Sequence, residues 1–105
     1  MQAGESSVTR EQVLAILRAH LPEIQALGVA SLAIFGSFAR DEAGPDSDVD
    51  VLVEFSPDVR VGLNEYFGTK EYLESLLGRP VDLVMRSGLK PRLRPVVARE
   101  EIRVA

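Results

Sequence analysis

Two aspartates one residue apart, Asp48 and Asp50, follow a Gly36-Ser37 pair by about a dozen positions, and this combination suits phosphate chemistry. The alternation in Asp48-Val49-Asp50-Val51-Leu52-Val53-Glu54-Phe55 reads as a strand. Side chains at i and i+2 share a face, so Asp48, Asp50, Leu52 and Glu54 point one way and Val49, Val51, Val53 and Phe55 the other. The two carboxylates are then held about 6–7 Å apart on one side of a rigid strand. Like charges so close call for a neutralising cation, and hard oxygen donors suit Mg²⁺ or Mn²⁺. A pair of such ions about 3.5–4 Å apart activates an attacking oxygen and steadies a leaving phosphate. Asp48 and Asp50 are therefore read as metal ligands.

Upstream, the apolar run Leu32-Ala33-Ile34-Phe35 breaks at Gly36-Ser37 and gives way to Phe38-Ala39-Arg40-Asp41-Glu42-Ala43, a helical turn or two. Glycine at a strand-to-helix turn lets the backbone approach a ligand, and free N–H groups there favour an anion such as phosphate. Ser37 adds a hydroxyl donor. Arg40 either balances charge on the phosphates or forms a surface pair with Asp41 or Glu42. Two plainer readings compete. Asp46-Ser47-Asp48 could be an ordinary polar turn into a half-exposed strand, and Asp46, Asp48 and Asp50 have the opening spacing of an EF-hand. Val51 stands where an EF-hand needs glycine and no downstream Glu completes the loop, which excludes that motif. The Gly-Ser turn arriving from a preceding strand tips the choice toward a phosphate site.

The rest of the chain must position these residues. With 105 residues, 46% of them hydrophobic, there is apolar material for one core, and the expectation is a mobile lead-in over residues 1 to 8 and a single domain over 9 to 105. Thr9 and Gln12 form a capping box that opens a helix through about residue 20. His20, the only histidine, falls at its C-terminal end and is read as structural. A short helical turn over 22 to 27 closes at Gly28, and 29 to 35 is the first strand. After the turn at 56 to 58, residues 62 to 77 read as a helix stopped by Gly78, with Leu63, Tyr66, Phe67, Leu73, Leu76 and Leu77 as its core stripe. Residues 81 to 85 form a short strand in which Asp82 is a lone acid among apolar neighbours, costly to bury unless paired, or else facing water at a sheet edge. Residues 89 to 99 read as a helix that Pro95 kinks or starts late, with a last extended piece after it.

Zero cysteines exclude disulfides and thiolate metal sites. No apolar run approaches the roughly 20 residues of a membrane span, and MQAGESS has neither the basic nor the apolar region of a leader, so a cytoplasmic protein is expected. The net charge of −4 argues against broad nucleic-acid binding. It is unevenly spread, since the stretch from Arg86 onward carries six basic and two acidic residues, leaving −8 on the remainder. That basic end could meet phosphates or an acidic partner, or be a solvated helix.

The stretch GSFARDEAGPDSDVDVLVEF resembles the signature of the minimal nucleotidyltransferases of the DNA polymerase β superfamily: a Gly-Ser turn, then Ala-Arg, then a Pro-x-Ser-Asp-x-Asp strand. Members often carry glycine after that arginine, where this chain has Asp41. The resemblance implies an α/β (α+β) fold with a small mixed sheet flanked by helices. It places the triphosphate of ATP on Gly36 and Ser37, with Arg40 and Ser47 beside it, and metal on Asp48 and Asp50. It also supplies a third carboxylate from a later strand, which falls on Asp82 in its Val-Asp-Leu-Val setting, next to the attacking hydroxyl. The resemblance further implies a partner, since similar stand-alone proteins are often paired with HEPN-type toxins as antitoxins that transfer AMP to a tyrosine of the toxin. The implied activity is thus a Mg²⁺- or Mn²⁺-dependent nucleotidyltransferase working on a partner protein. The alternatives are a binding module that neutralises its partner without catalysis, and a subunit of a small-molecule nucleotidyltransferase with its acceptor pocket formed across a homodimer.

Overall fold

The computed structural model describes residues 8 to 105. The terminus expected to be mobile lies outside them up to residue 7, and Val8 packs against the core. The helix α1 (Arg10–Ala19) opens as its sequence directs: Thr9 Oγ1 accepts from the Gln12 amide at 3.1 Å, and Gln12 Oε1 accepts from the Thr9 amide at 2.8 Å. His20 ends it with Nδ1 on the Ile16 carbonyl at 3.0 Å, a structural role. A short α2 (Leu21–Ala26) follows, with proline in its first turn.

Strand β1 (Val29–Phe35) runs into α3 (Gly36–Ala39), which begins on the glycine itself and is shorter than the expected turn or two. Its successor Arg40 closes it, and Asp41 turns the chain away with φ 60°, the left-handed region. Glycine, frequent at this position in the resembled family, would adopt that conformation freely. Strand β2 (Val49–Phe55) starts one residue later than expected, so Asp48 stands just outside it. The long helix α4 (Leu63–Leu77) then carries the chain to β3 (Val81–Met85). Two short 3₁₀ turns lead to α5 (Arg94–Glu100), with Pro95 in its first turn, and to β4 (Ile102–Arg103). Pro95 therefore delays the helix rather than kinking it, because proline is tolerated only where the amide has no intrahelical partner.

The four strands form one mixed sheet in the order β3-β2-β1-β4. Strands β1 and β2 pair antiparallel, as do β1 and β4, whereas β2 and β3 are parallel with α4 as the crossover. Val49, Val51 and Val53 turn to one face, where they are packed with Leu17, Ile24 and Leu73. Leu52 and Ala33 turn to the other and meet Leu89 and Val97 from the segment around α5. The sheet is thus covered on both faces, and the second cover is partial.

One part of the expected core is corrected. Leu63 and Phe67 are 75% and 50% exposed, and the buried line of α4 runs instead through Thr69, Leu73 and Leu77. Phe67 lies about 100° around the helix from Tyr66, off the face that meets the sheet. Thr69 is buried without penalty because its hydroxyl donates to the Glu65 carbonyl at 2.8 Å.

Candidate active site

Register brings the chemistry together. Asp50 pairs with Phe35 on β1 and with Asp82 on β3, so two carboxylates from neighbouring parallel strands sit side by side on the same face. Phe35 is the last residue before Gly36, which places the Gly-Ser turn directly beside them. Gly36 has φ 71°, and a methyl group built on it would stand 2.0 Å from Asp50 Oδ2 and 3.0 Å from its Cγ. Any other residue here would displace the Asp50 carboxylate or break the turn.

These residues open onto a cavity of about 620 Å³. Gly36, Ser37, Arg40, Asp50 and Asp82 line one side, and the apolar Leu89, Leu93, Val96 and Val97 line the other, with Lys90 and Glu100 among them. A mixed apolar and charged cleft of this kind can take a small molecule with one polyanionic end. The electrostatics of its floor are unbalanced. Burial, and then the negative charges of Asp82 and Asp48, push the Asp50 carboxyl up from 3.8 to about 6, against the opposing pull of Arg40. A carboxylate so crowded by its own kind has negative charge left over, and its oxygens are hard donors that fit a divalent cation of the Mg²⁺ type.

The residues expected from sequence fare unequally. Gly36, Ser37, Arg40, Asp50 and Asp82 converge on the cavity. Asp82 satisfies both readings of it, because β3 is the sheet edge and the side chain is exposed, yet it stands in register with Asp50. Asp48, exposed in the segment before β2, is not a cavity-lining residue, though its charge reaches Asp50. Among the described residues no three acidic or histidine side chains are gathered into a ready-made metal cage. Ser47 lies away from the cavity: its hydroxyl accepts from the Gly44 amide at 2.9 Å and its carbonyl accepts from Arg79 Nη1 at 2.9 Å, which ties the turn before β2 to the start of β3. Arg40 pairs with Glu42 (2.9 Å) as one reading expected, not with Asp41, and in addition with Glu100. The hydrogen bond that Arg40 donates to Glu42, foremost, and the negative charge of Glu100 beyond it push the Arg40 pKa further up.

Sequence reasoning missed the far wall. The basic surplus after Arg86 marked the segment, but nothing local in Leu93, Val96, Val97 or Glu100 says that they face the aspartates. That depends on β4 returning to the edge of β1, with Ala33 opposite Arg103 and Ile34 opposite Ile102.

Comparison with known proteins agrees with this geometry. The chain is 44% identical over 98 residues to the protein adenylyltransferase MntA of Thermococcus cleftensis, covering 92% of this chain and 97% of that one. It resembles a solved structure assigned as a minimal nucleotidyltransferase with a TM-score of 0.79 and 41% identity, over 93% of this chain and 98% of the other. A crystal structure of a toxin-antitoxin with AMP-PNP shares the fold at a TM-score of 0.63 and 20% identity, over 91% of this chain and 72% of that one. The family model described as a nucleotidyltransferase domain matches residues 12–104, and with the Gly-Ser turn set against the Asp50/Asp82 pair, the chain belongs to the nucleotidyltransferase domain family.

Proposed function

We propose that this protein, as a single domain over residues 9 to 105, transfers AMP from ATP to a hydroxyl of a partner protein. The acceptor is a tyrosine of a HEPN-type toxin, and the chain acts as its cytoplasmic antitoxin. One observation carries the reading: Asp50 and Asp82 lie in register on adjacent strands beside a turn that only glycine can make, at the floor of a cleft with room for a nucleotide. The name of the Thermococcus relative, protein adenylyltransferase, supports the choice of AMP and of a protein acceptor.

In this reading Gly36 and Ser37 bind the triphosphate, the glycine by letting the backbone come close and the serine by donating its hydroxyl. Arg40 offsets the phosphate charge. Asp48 and Asp50, together with Asp82, would hold Mg²⁺ or Mn²⁺. Bound there, the cation neutralises triphosphate charge and lowers the pKa of the attacking oxygen. Asp82, on the open side of the pair, receives the acceptor hydroxyl and takes up its proton. The hydroxyl oxygen bonds to the α-phosphorus, the bond to the β-phosphate oxygen breaks, and pyrophosphate leaves. The apolar wall of Leu93 and Val96 would receive the adenine. Ser47 serves at one remove, by fixing the turn that delivers Asp48.

The test is intact mass spectrometry of the partner co-purified with this chain after incubation with ATP and Mg²⁺. A gain of one or more AMP units, absent with the Asp48→Ala/Asp50→Ala variant, is expected. A partner that binds both forms equally and stays unmodified would replace this reading with neutralisation by binding alone.

A further inference from the structure

Arg40 is already occupied. Its Nη1 donates to both oxygens of Glu100, at 3.1 and 3.2 Å, while its Nε donates to Glu42 at 2.9 Å. Glu100 is the last residue of α5 and Arg40 follows α3 at the opposite side of the same cleft, sixty residues away in the chain. The pair therefore links the segment after the Gly-Ser turn to the apolar wall, and both of its members line the cleft. A carboxylate presents to a guanidinium the same acceptor geometry that a phosphate would, and the two compete for one set of N–H groups.

Resting on the assignment of this cleft to a nucleoside triphosphate, we propose that Glu100 is a resident counter-anion. It holds Arg40 in place in the empty site and must give it up when the triphosphate binds. Two consequences follow from charge alone. Glu100 weakens the binding of any ligand in proportion to the negative charge brought to Arg40, through competition for the guanidinium and through repulsion across the cleft. It also re-forms its pair with Arg40 as pyrophosphate departs, so that it trades affinity for release. Glu100 is thus a positioning residue that acts on substrate through Arg40. Glu42, at 2.9 Å, holds the Arg40 Nε more strongly, but it stands two residues away on the same turn and does not line the cleft, so the pair within the cleft is the one with Glu100.

The experiment is calorimetric titration of the purified full chain with Mg-ATP and, as an uncharged control, adenosine. The variants are Glu100→Gln, Arg40→Ala and the two combined. Glu100→Gln keeps the size of the side chain and is expected to tighten Mg-ATP by about three- to ten-fold, the range of a partly exposed ion pair plus a relieved repulsion. Adenosine binding should stay unchanged, and the gain should vanish in the Arg40→Ala background and shrink in high salt. In turnover, KM for ATP should fall while kcat does not rise, a split that a merely structural role would not produce. Should Glu100→Gln fail to fold, Glu100→Asp, which keeps the charge but shortens the reach, should give a smaller tightening that still depends on Arg40. Equal or weaker Mg-ATP binding by folded Glu100→Gln overturns the proposal. Failure of the unaltered chain to bind Mg-ATP at all would instead overturn the reading of the cleft on which it rests.

Discussion

At Gly36 two requirements coincide, a left-handed φ of 71° and the absence of a Cβ that would meet Asp50 Oδ2 at 2.0 Å. Gly36→Ala should cost at least about 2 kcal/mol of stability, measured by denaturant titration, and abolish transfer even where the protein remains folded. Asp41 presents the converse case, an L-residue at φ 60°. Relief of roughly 1–2 kcal/mol of left-handed strain by Asp41→Gly is offset by roughly 0.4–1 kcal/mol of added unfolded-state entropy, so a net gain of about 0.5 kcal/mol is expected. The Asp50 carboxyl, raised from 3.8 to about 6, sets a pH dependence. Between those values the folded protein keeps a proton that the unfolded chain has lost, so the Asp50 contribution to stability falls as pH rises through that window and is fully unfavourable above it. In metal-free protein Asp50→Asn should therefore raise the melting temperature above neutral pH and leave it nearly unchanged below the ordinary carboxylate range, as followed by thermal melts across pH. The same crowding makes divalent-cation binding weaken as pH drops below about 6.

The elements differ in how plainly the residues announce them. The capping box at Thr9 and Gln12, the alternation of β2 and the Gly78 stop after α4 are local signals, and the structure contains each of them. Local signals place β3 as well, because Val81, Leu83 and Met85 alternate with Asp82 and Val84. The face of α4 was less legible: Leu63 and Phe67 fit a helical stripe but fall at its border, and only the position of the sheet beneath decides which of its members are covered. Leu73→Ala, at a fully buried site, should destabilise the fold by about 2–5 kcal/mol. Phe67→Ser should stay within about 0.5 kcal/mol, despite being the larger chemical change. Comparable losses in both, by denaturant unfolding, would mean that α4 packs on a different face. The α5 segment was the least legible, since its role as cleft wall comes from ion pairs distant in sequence: Arg40 with Glu100, and Arg86 with Glu101 at 3.1 and 2.7 Å.

Across the whole molecule, the acidic excess of residues 1 to 85 and the basic excess from Arg86 onward meet at the cleft, where Asp50, Asp82 and Lys90 line one cavity of about 620 Å³. The mixed sheet makes this meeting geometric: parallel pairing of β2 and β3 sets the two carboxylates level, and the return of β4 against β1 draws the basic segment over them. Among the described residues no helix is long and apolar enough to cross a membrane. The Gly-Ser turn and Asp50 were thus readable from one continuous stretch, whereas the partnership of Asp50 with Asp82 depended on the parallel pairing of β2 and β3 and the closing wall on contacts that no short window contains. What remains central is the bond that the site makes. The most direct measurement incubates the chain and the proposed HEPN-type partner with Mg²⁺ and ATP carrying label on either the α- or the γ-phosphate. Label from the α-phosphate should appear on the partner protein, with one pyrophosphate released per group transferred and none of this with Asp48→Ala/Asp50→Ala. Label arriving from the γ-phosphate, or a tight complex that acquires no label, would contradict nucleotidyl transfer by this site.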